Sequence, residues 1–406
     1  MKKCDVRKSN FLVTFLMLLF SLFLIGEVNA TIYYVAPNGN DSNSGSISAP
    51  FRTIQRAADI VNPGDMVIVK NGIYTDTDGD DSVVYMTRDG AAGNLITFRA
   101  ENKWGAVLDG QNFTTNYGFV LSEAKYVKVQ DFEIKNLVFG GVRAASSSAN
   151  IYIYRNKIHD IGRIYIDPCV YEPGSHKAIS VDNSSYPVTI DNNLIYTIGR
   201  LPGGAANCLG KEHYDYNQDH CVYISSGDVT FINNILYNCK SGWAIQAYPP
   251  PISNVTIVNN TFYGTNPERN GHILISGGQN WLIQNNIFHS PRKGAVEGSS
   301  SNSTKVVLRN NLVYNASITA SENCDGIKWI CSNNITGDPK FINLSSYDFH
   351  LQSASPAIDK GITFSGRTKD ADGNSIVGAP DIGAYEAGGV SEDTTPPAPP
   401  PAIEVK

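Results

Sequence analysis

A ten-residue pattern returns along most of the chain at a spacing of about 25 residues, and a fixed period restricts architecture more than composition can. The copies read VKVQDFEIKN (127–136), IYIYRNKIHD (151–160), VTIDNNLIYT (188–197), VTFINNILYN (229–238), VTIVNNTFYG (255–264), WLIQNNIFHS (281–290), VVLRNNLVYN (306–315) and, more weakly, WICSNNITGD (329–338). Aliphatic and polar residues alternate in each, as a half-buried strand requires. An Asn then recurs at 156, 193, 234, 260, 286, 311 and 334, with Asp131 in the first copy. Asn suits a bend because it tolerates left-handed backbone angles and its amide bonds nearby main chain. Stacked copies predict a ladder of such amides. A further strand precedes each pair, as in KAISV (177–181), CVYIS (221–225), WAIQA (243–247) and HILIS (272–276).

Three short strands per period predict an all-β fold, a single-stranded right-handed parallel β-helix in which each coil is stabilised by stacking on the next. A β-sandwich would use similar strands, but it needs hairpins and leaves a single recurring Asn ladder without a cause.

Residues 1–30 stand outside the repeat. Lys2, Lys3, Arg7 and Lys8 precede an apolar run from Phe11 to Ile25, and EVNA ends in a small residue at Ala30. This is the pattern of a secretory signal peptide, and it is short for a membrane anchor. We therefore expect a secreted or cell-surface protein with no membrane span after cleavage, monomeric in form. The remainder, with 28 basic and 36 acidic side chains, has no excess of cations for a nucleic-acid surface. At the other end GGVSEDTTPPAPPPAIEVK (388–406) is rich in Pro and reads as a linker or tail. The domain plan is a signal peptide at 1–30, the solenoid at 31–388 and the tail at 389–406.

The period swells twice. Successive bend positions are 25, 37, 41, 26, 26 and 25 residues apart, so two adjacent coils carry about 12 and 16 extra residues. Both excesses fall just before the first strand of a coil, as GRIYIDPCVYEPGSHK (162–177) and RLPGGAANCLGKEHYDYNQDH (200–220). Insertions at equivalent connections of neighbouring coils lie side by side, and solenoids usually place binding there. Six cysteines remain beyond the signal peptide, and they allow fifteen connectivities. Cys169 and Cys208 occupy the two insertions, which makes them expected partners, and Cys324 with Cys331 would close a small loop.

The segment IYYVAPNGNDSNSGSISAPFRTIQRAADIVNPGDMVIVKNGIY (32–74) resembles the N-terminal cap and first coil of exported right-handed β-helix proteins, the pectate-lyase-like polysaccharide lyases among them. SPAIDKG (355–361) and DADGNSIVGAPDIGAYE (370–386) are similar to their closing segment. The resemblance implies that RTIQRAADIV is a capping helix, that the partner is a polysaccharide and that a sugar groove runs along the sheet beside the insertions. It departs from family patterns in two respects. The adjacent-Asp calcium cluster of one pectate-lyase group has no clean match, since DGDDS (78–82) belongs to an early coil, and the paired-Asp motif of β-helix polygalacturonases is absent.

Alternation gives the groove floor. If Val142, Ile179, Val222, Ile245 and Ile273 point inward, then Arg143, Ser180, Tyr223, Gln246 and Leu274 point outward. Lys177, His220, Trp243, Tyr248 and Asp182 flank them, and the insertions add His176, His213, Asp215 and Asp219. β-Elimination of a uronate needs a base, a proton donor and a cation for the carboxylate. We expect Lys177 or His220 as base, Tyr223 as donor and Arg143 as the carboxylate's partner. Asp219 would orient His220 or, with Asp215 and Asp182, hold Ca2+, which prefers oxygen ligands. His176, His213, Trp243, Gln246, Tyr248 and His272 are the expected substrate contacts. His159 and His289 take the place of Tyr in the repeat and read as stack members. A non-catalytic glycan-binding surface or matrix protein, a uronate epimerase and a glycoside hydrolase are the competing functions.

Overall fold

The computed structural model describes residues 30–388 apart from 164–174, 183–184, 201–217, 240–241, 265–268 and 300–301. Residues 1–29, the tail 389–406, Cys169, Cys208, His213 and Asp215 lie outside the described residues.

Successive strands of the repeat pass to three different sheets, and each strand bonds in parallel to its counterparts in the coils above and below. Among the described residues these sheets contain eleven, nine and ten strands. The chain is a right-handed parallel β-helix. Period-two alternation sends one residue in two into the core, where Val127, Ile151, Val188, Val229, Val255, Trp281 and Val306 stack coil upon coil and are fully buried. Burying each such side chain contributes about 1.5–3 kcal/mol. The expected capping helix is five residues long, Ile54–Ala58. Thr53 caps its N-terminus by accepting from Arg56 N, and Ile54, Ala57 and Ala58 turn inward.

Pairs of Asn, rather than single ones, build the bends. The second Asn of each pair forms the ladder: Asn193 Oδ1 accepts from Asn156 N at 3.0 Å, Asn234 Oδ1 from Asn193 N at 2.8 Å, and Asn260 Oδ1 from Asn234 N at 2.7 Å. Asn286, Asn311 and Asn334 continue it. The left-handed residue is the one before the ladder position, Asn192, Asn233, Asn259, Asn285, Asn310 and Asn333 with φ between 52° and 59°. In the first copy Asp131 takes that left-handed place with φ 69°, and Phe132 stands at the ladder's end, donating its N–H to Asn156 Oδ1. Asp131 is therefore not the ladder member that the sequence alignment suggested.

Asn260 shows what a rung contributes. Its Nδ2 donates to Phe231 O, Val258 O and Asn286 Oδ1, and its Oδ1 accepts from both nitrogens of Asn234, all out of contact with solvent. Replacing it by Leu strands a main-chain N–H and two carbonyls, at about 1–3 kcal/mol for each group left without a partner. Asn260→Leu is thus expected to lower the urea midpoint substantially without changing the fold, whereas a midpoint within error of wild type would mean the ladder adds nothing.

The left-handed Asn residues serve a second purpose. Asn233 donates to Lys369 O, Asn259 to Asp381 O and Gly383 O, Asn285 to Ile362 O, and Asn310 to Lys360 O. The C-terminal segment is thereby strapped along the side of the solenoid. Within this strap His350 bridges Asp348 Oδ1 at 2.5 Å and Asp372 Oδ2 at 2.7 Å and stacks on Tyr385. Burial alone would lower its pKa, but the two carboxylates raise it to about 9. A group whose pKa rises on folding stabilises fully below its unfolded value and loses that effect as pH climbs through the folded one. The thermal advantage of wild type over His350→Gln is expected below about pH 6.5 and should vanish on passing pH 9; a constant difference up to pH 10 would contradict it.

Candidate active site

The nine-strand sheet carries the candidate site. Its register aligns Val84, Phe119, Val142, Ile179, Val222, Ile245, Ile273 and Val296 as one inward column, every member fully buried. The same register aligns Tyr85, Val120, Arg143, Ser180, Tyr223, Gln246, Leu274 and Glu297 as an outward column. A parallel column runs Ser82, Tyr117, Gly140, Lys177 and His220. Lys177 and His220 are therefore neighbours on adjacent rungs, and rungs stand about 4.8 Å apart.

The two differ in what they can do. The Nζ of Lys177 lies 4.8 Å from the centre of the Tyr223 ring, and among the described residues no carboxylate is within ion-pair distance of it. Burial lowers its pKa; Asp182 and Asp219 oppose that shift and Arg143 adds to it. A desolvated, unpaired amine is the form in which Lys serves as a base. His220 is instead sealed. It is 1% exposed, its Nδ1 accepts the Trp243 N–H at 3.1 Å, and Gln246 bonds it as well. Burial pushes its pKa down to about 3. Gly242 allows this packing, because a Cβ there would stand 2.1 Å from His220 Nδ1. His220 is a support for the floor and not a base.

Arg143 meets Asp182 through Nε at 2.8 Å and a second nitrogen at 2.7 Å, and its guanidinium lies 5.5 Å from the Tyr117 ring. Tyr223 borders Lys177 and His220, and burial raises its pKa, so it keeps its proton. Tyr248 is half exposed. Trp243, expected to stack on sugar, has Arg269 at 4.1 Å over its ring and His220 at 5.6 Å, while its Nε1 donates to Glu297. It is 8% exposed, so little of it remains for a ligand. Gln246 is engaged with His220. His272 does not face a groove: it is buried against Phe262 and Phe288, and its Nε2 bonds Gly264 O at 2.7 Å. Burial brings its pKa down to about 4.

The stems of both insertions meet at one carboxylate. Asp219 Oδ1 accepts from His176 N and Nδ1, at 3.1 and 2.9 Å, and from one Arg200 terminal nitrogen at 3.0 Å. Its Oδ2 accepts from Arg200 N and Nε, at 2.8 and 2.9 Å. All three side chains are buried. Asp219 therefore neither orients His220 nor holds a metal, since both of its oxygens are used, and Asp182 is committed to Arg143. His176 is a clasp residue rather than a sugar contact. The sequence reading missed Arg200, although it opens the second insertion, and Tyr117, which extending the register one coil back would have found. Of the two expected cysteine pairs, one falls among the described residues, and Cys169 and Cys208 lie outside them. Cys324–Cys331 forms as expected, and Cys221 pairs with Cys239, a partnership that sequence spacing did not single out. His159 and His289 are stack members, His159 lying 4.7 Å from Tyr196 with its ring tilted by 3°.

A family model described as a Pel9A-like right-handed β-helix region matches residues 33–187, and one described as a right-handed β-helix region matches 178–376. The crystal structure of pectate lyase Pel9A superposes with a TM-score of 0.55 at 18% identity, covering 88% of this chain and 96% of that one. The chain is a pectate-lyase-like right-handed β-helix protein. It is 38% identical over 99 residues to pectate lyase L of Dickeya dadantii, covering 22% of this chain and 23% of the relative. It is 29% identical over 142 residues to pectate lyase PEL9 of Emericella nidulans, covering 32% and 33%. The aligned part thus spans a third or less of these relatives' length. These likenesses show architecture, and one scaffold hosts many chemistries.

For a β-helix of this kind, a hard cation finds its best described donors elsewhere than expected. Asp76, Asp78 and Asp80 bring their carboxylate oxygens within 4.8 Å of one another. They sit in the connection before strand Ser82–Met86, the counterpart of the two enlarged connections. Ser82 is three rungs from Lys177, about 14 Å along the sheet. Burial and the charges of Asp80 and Asp76 raise the pKa of Asp78, the repulsion that an oxygen-seeking cation would relieve. Among the described residues no helix is long and apolar enough to cross a membrane.

Proposed function

We propose that the chain is an exported polysaccharide lyase that cleaves a uronate-containing glycan by β-elimination in the groove around Lys177. The observation that supports this most is Lys177 itself, a desolvated amine with no carboxylate partner among the described residues, facing outward between Arg143 and Tyr223. Arg143, steadied by Asp182, would meet the C6 carboxylate and acidify the C5 proton. Neutral Lys177 would take that proton as the C4–C5 double bond forms and the C4–O bond breaks. Tyr223 would return a proton to the departing oxygen. Asp76, Asp78 and Asp80 would hold calcium if the protein uses it, where the ion would order the loop and add positive charge toward an acidic chain. Export is supported by the basic start and apolar run before Ala30.

Incubating the protein with pectate, alginate and chondroitin, with and without chelator, tests the reading. A rise in ultraviolet absorbance from the unsaturated product supports elimination. New reducing ends without that absorbance mean hydrolysis, a shift in uronate stereochemistry without cleavage means epimerisation, and retention on glycan alone means binding; each of these sinks the lyase assignment.

A further inference from the structure

Away from the groove, a cleft of about 320 Å³ lies between the outer face of the eleven-strand sheet and the C-terminal strap. Tyr154, Asp191 and Asn192 border it on the sheet side, and Arg367, Lys369 and Asp372 on the other. Its volume falls at the small end of ligand sites, which run roughly 300–1,000 Å³. Asp191 ends strand Val188–Asp191, directed away from the core and in register with Tyr154 one coil earlier. Asn233 bonds its carboxylate, but its Oδ1 is buried and has no hydrogen-bond partner among the described residues. A buried acceptor left unmade is costly, and its persistence at a cleft invites a ligand that donates to it.

The surroundings select the kind of donor. A metal ion would need further anionic oxygens, yet Asp370 is occupied by N–H groups of Asp372, Asn374 and Glu386, and Asp372 by His350. A simple anion offers no proton and would oppose Asp191. The charges of Arg155 and Arg367 are already matched by Asp131 and Glu386. A hydroxyl satisfies Asp191, and an adjacent hydroxyl can accept from the amides and ammonium around it. We propose that this cleft is a second carbohydrate site, binding one neutral sugar unit through hydroxyl donation to Asp191 and acceptance from Asn192 and Lys369. Burial raises the pKa of Asp191 to about 6, against the Asn233 hydrogen bond and the charges of Lys128 and Arg367, so binding is strongest above that pH, where the carboxylate accepts with both oxygens. The site would tether the protein to neutral polymer beside its acidic substrate, and it stands whether or not the groove is a lyase.

Native electrophoresis of the full chain at pH 7.5 through gels containing galactan, arabinan, xylan or pectate tests the assignment. Retardation in at least one neutral gel is expected, weakened at least tenfold in Asp191→Ala and retained in Lys177→Ala. The isosteric Asp191→Asn, checked for an unchanged melting temperature, replaces the Ala variant if that one fails to fold. No retardation in any neutral gel, retardation confined to pectate, or equal retardation of wild type and the Asp191 variants each overturns the proposal.

Discussion

Lys177→Ala is expected to lower turnover of an acidic glycan by about 10²–10⁴-fold, the usual contribution of a positioned acid or base. Thermal unfolding should hardly change. The aliphatic stem borders the groove rather than the core, and among the described residues the ammonium has no ion pair to lose. A replacement away from such features usually stays within about 0.5 kcal/mol. Lys177→Arg separates charge from basicity. Guanidinium remains charged at any working pH, so Arg should restore affinity for the polymer but not turnover. The pH profile gives a third reading. A base works deprotonated, and because burial lowers the Lys177 pKa, kcat should climb with pH and level off below the ordinary Lys range. Turnover near wild type in Lys177→Ala, or a melting temperature that falls in parallel with activity, would remove Lys177 from the chemistry.

The solenoid was legible because its physics is local and repeated. Period-two alternation gave the inward Ile179, Val222 and Ile245 of KAISV, CVYIS and WAIQA, and the sheet register follows that column from Val142 to Ile273, but it breaks at the strand starts, where Ala178, Cys221 and Ala244 also enter the core. What alternation cannot express is coverage. His220 begins its strand on the side that faces the groove, yet the main chain at Trp243 closes over it, a contact made by residues 23 positions apart. The same limit hid the fate of Trp243, whose ring is taken by Arg269, and of His272, enclosed by two Phe residues. The Asn pairs were read as one signal when they are two. The second Asn looks inward to the ladder, while the first holds the left-handed turn, and at Asn233, Asn259, Asn285 and Asn310 grips a strap distant in sequence. No periodicity reports a partner that far along the chain.

The largest structural effect should come from Asp219, which the sequence cast as a ligand for calcium. Asp219→Ala leaves the buried Arg200 guanidinium without its carboxylate and frees the His176 main chain, and breaking a buried charge pair from one side costs about 3–5 kcal/mol. The loss should show as a lower denaturation midpoint. Function should fall with it for a separate reason: His176 adjoins Lys177, so the clasp sets where the strand Lys177–Val181 begins. Asp219→Asn keeps the shape but discards the charge and turns an NH2 toward groups that are all donors. It should therefore lose stability as well, though less than Asp219→Ala, and under conditions where it is still folded it should show faster hydrogen exchange at residues 176–178 together with reduced kcat, KM being less affected. Chelator should act on both Asp219 variants as it acts on wild type, because the carboxylate is fully used within the protein. If Asp219→Ala instead melts like wild type, the stems are held apart from this carboxylate, and the groove around Lys177 must be positioned by some other contact.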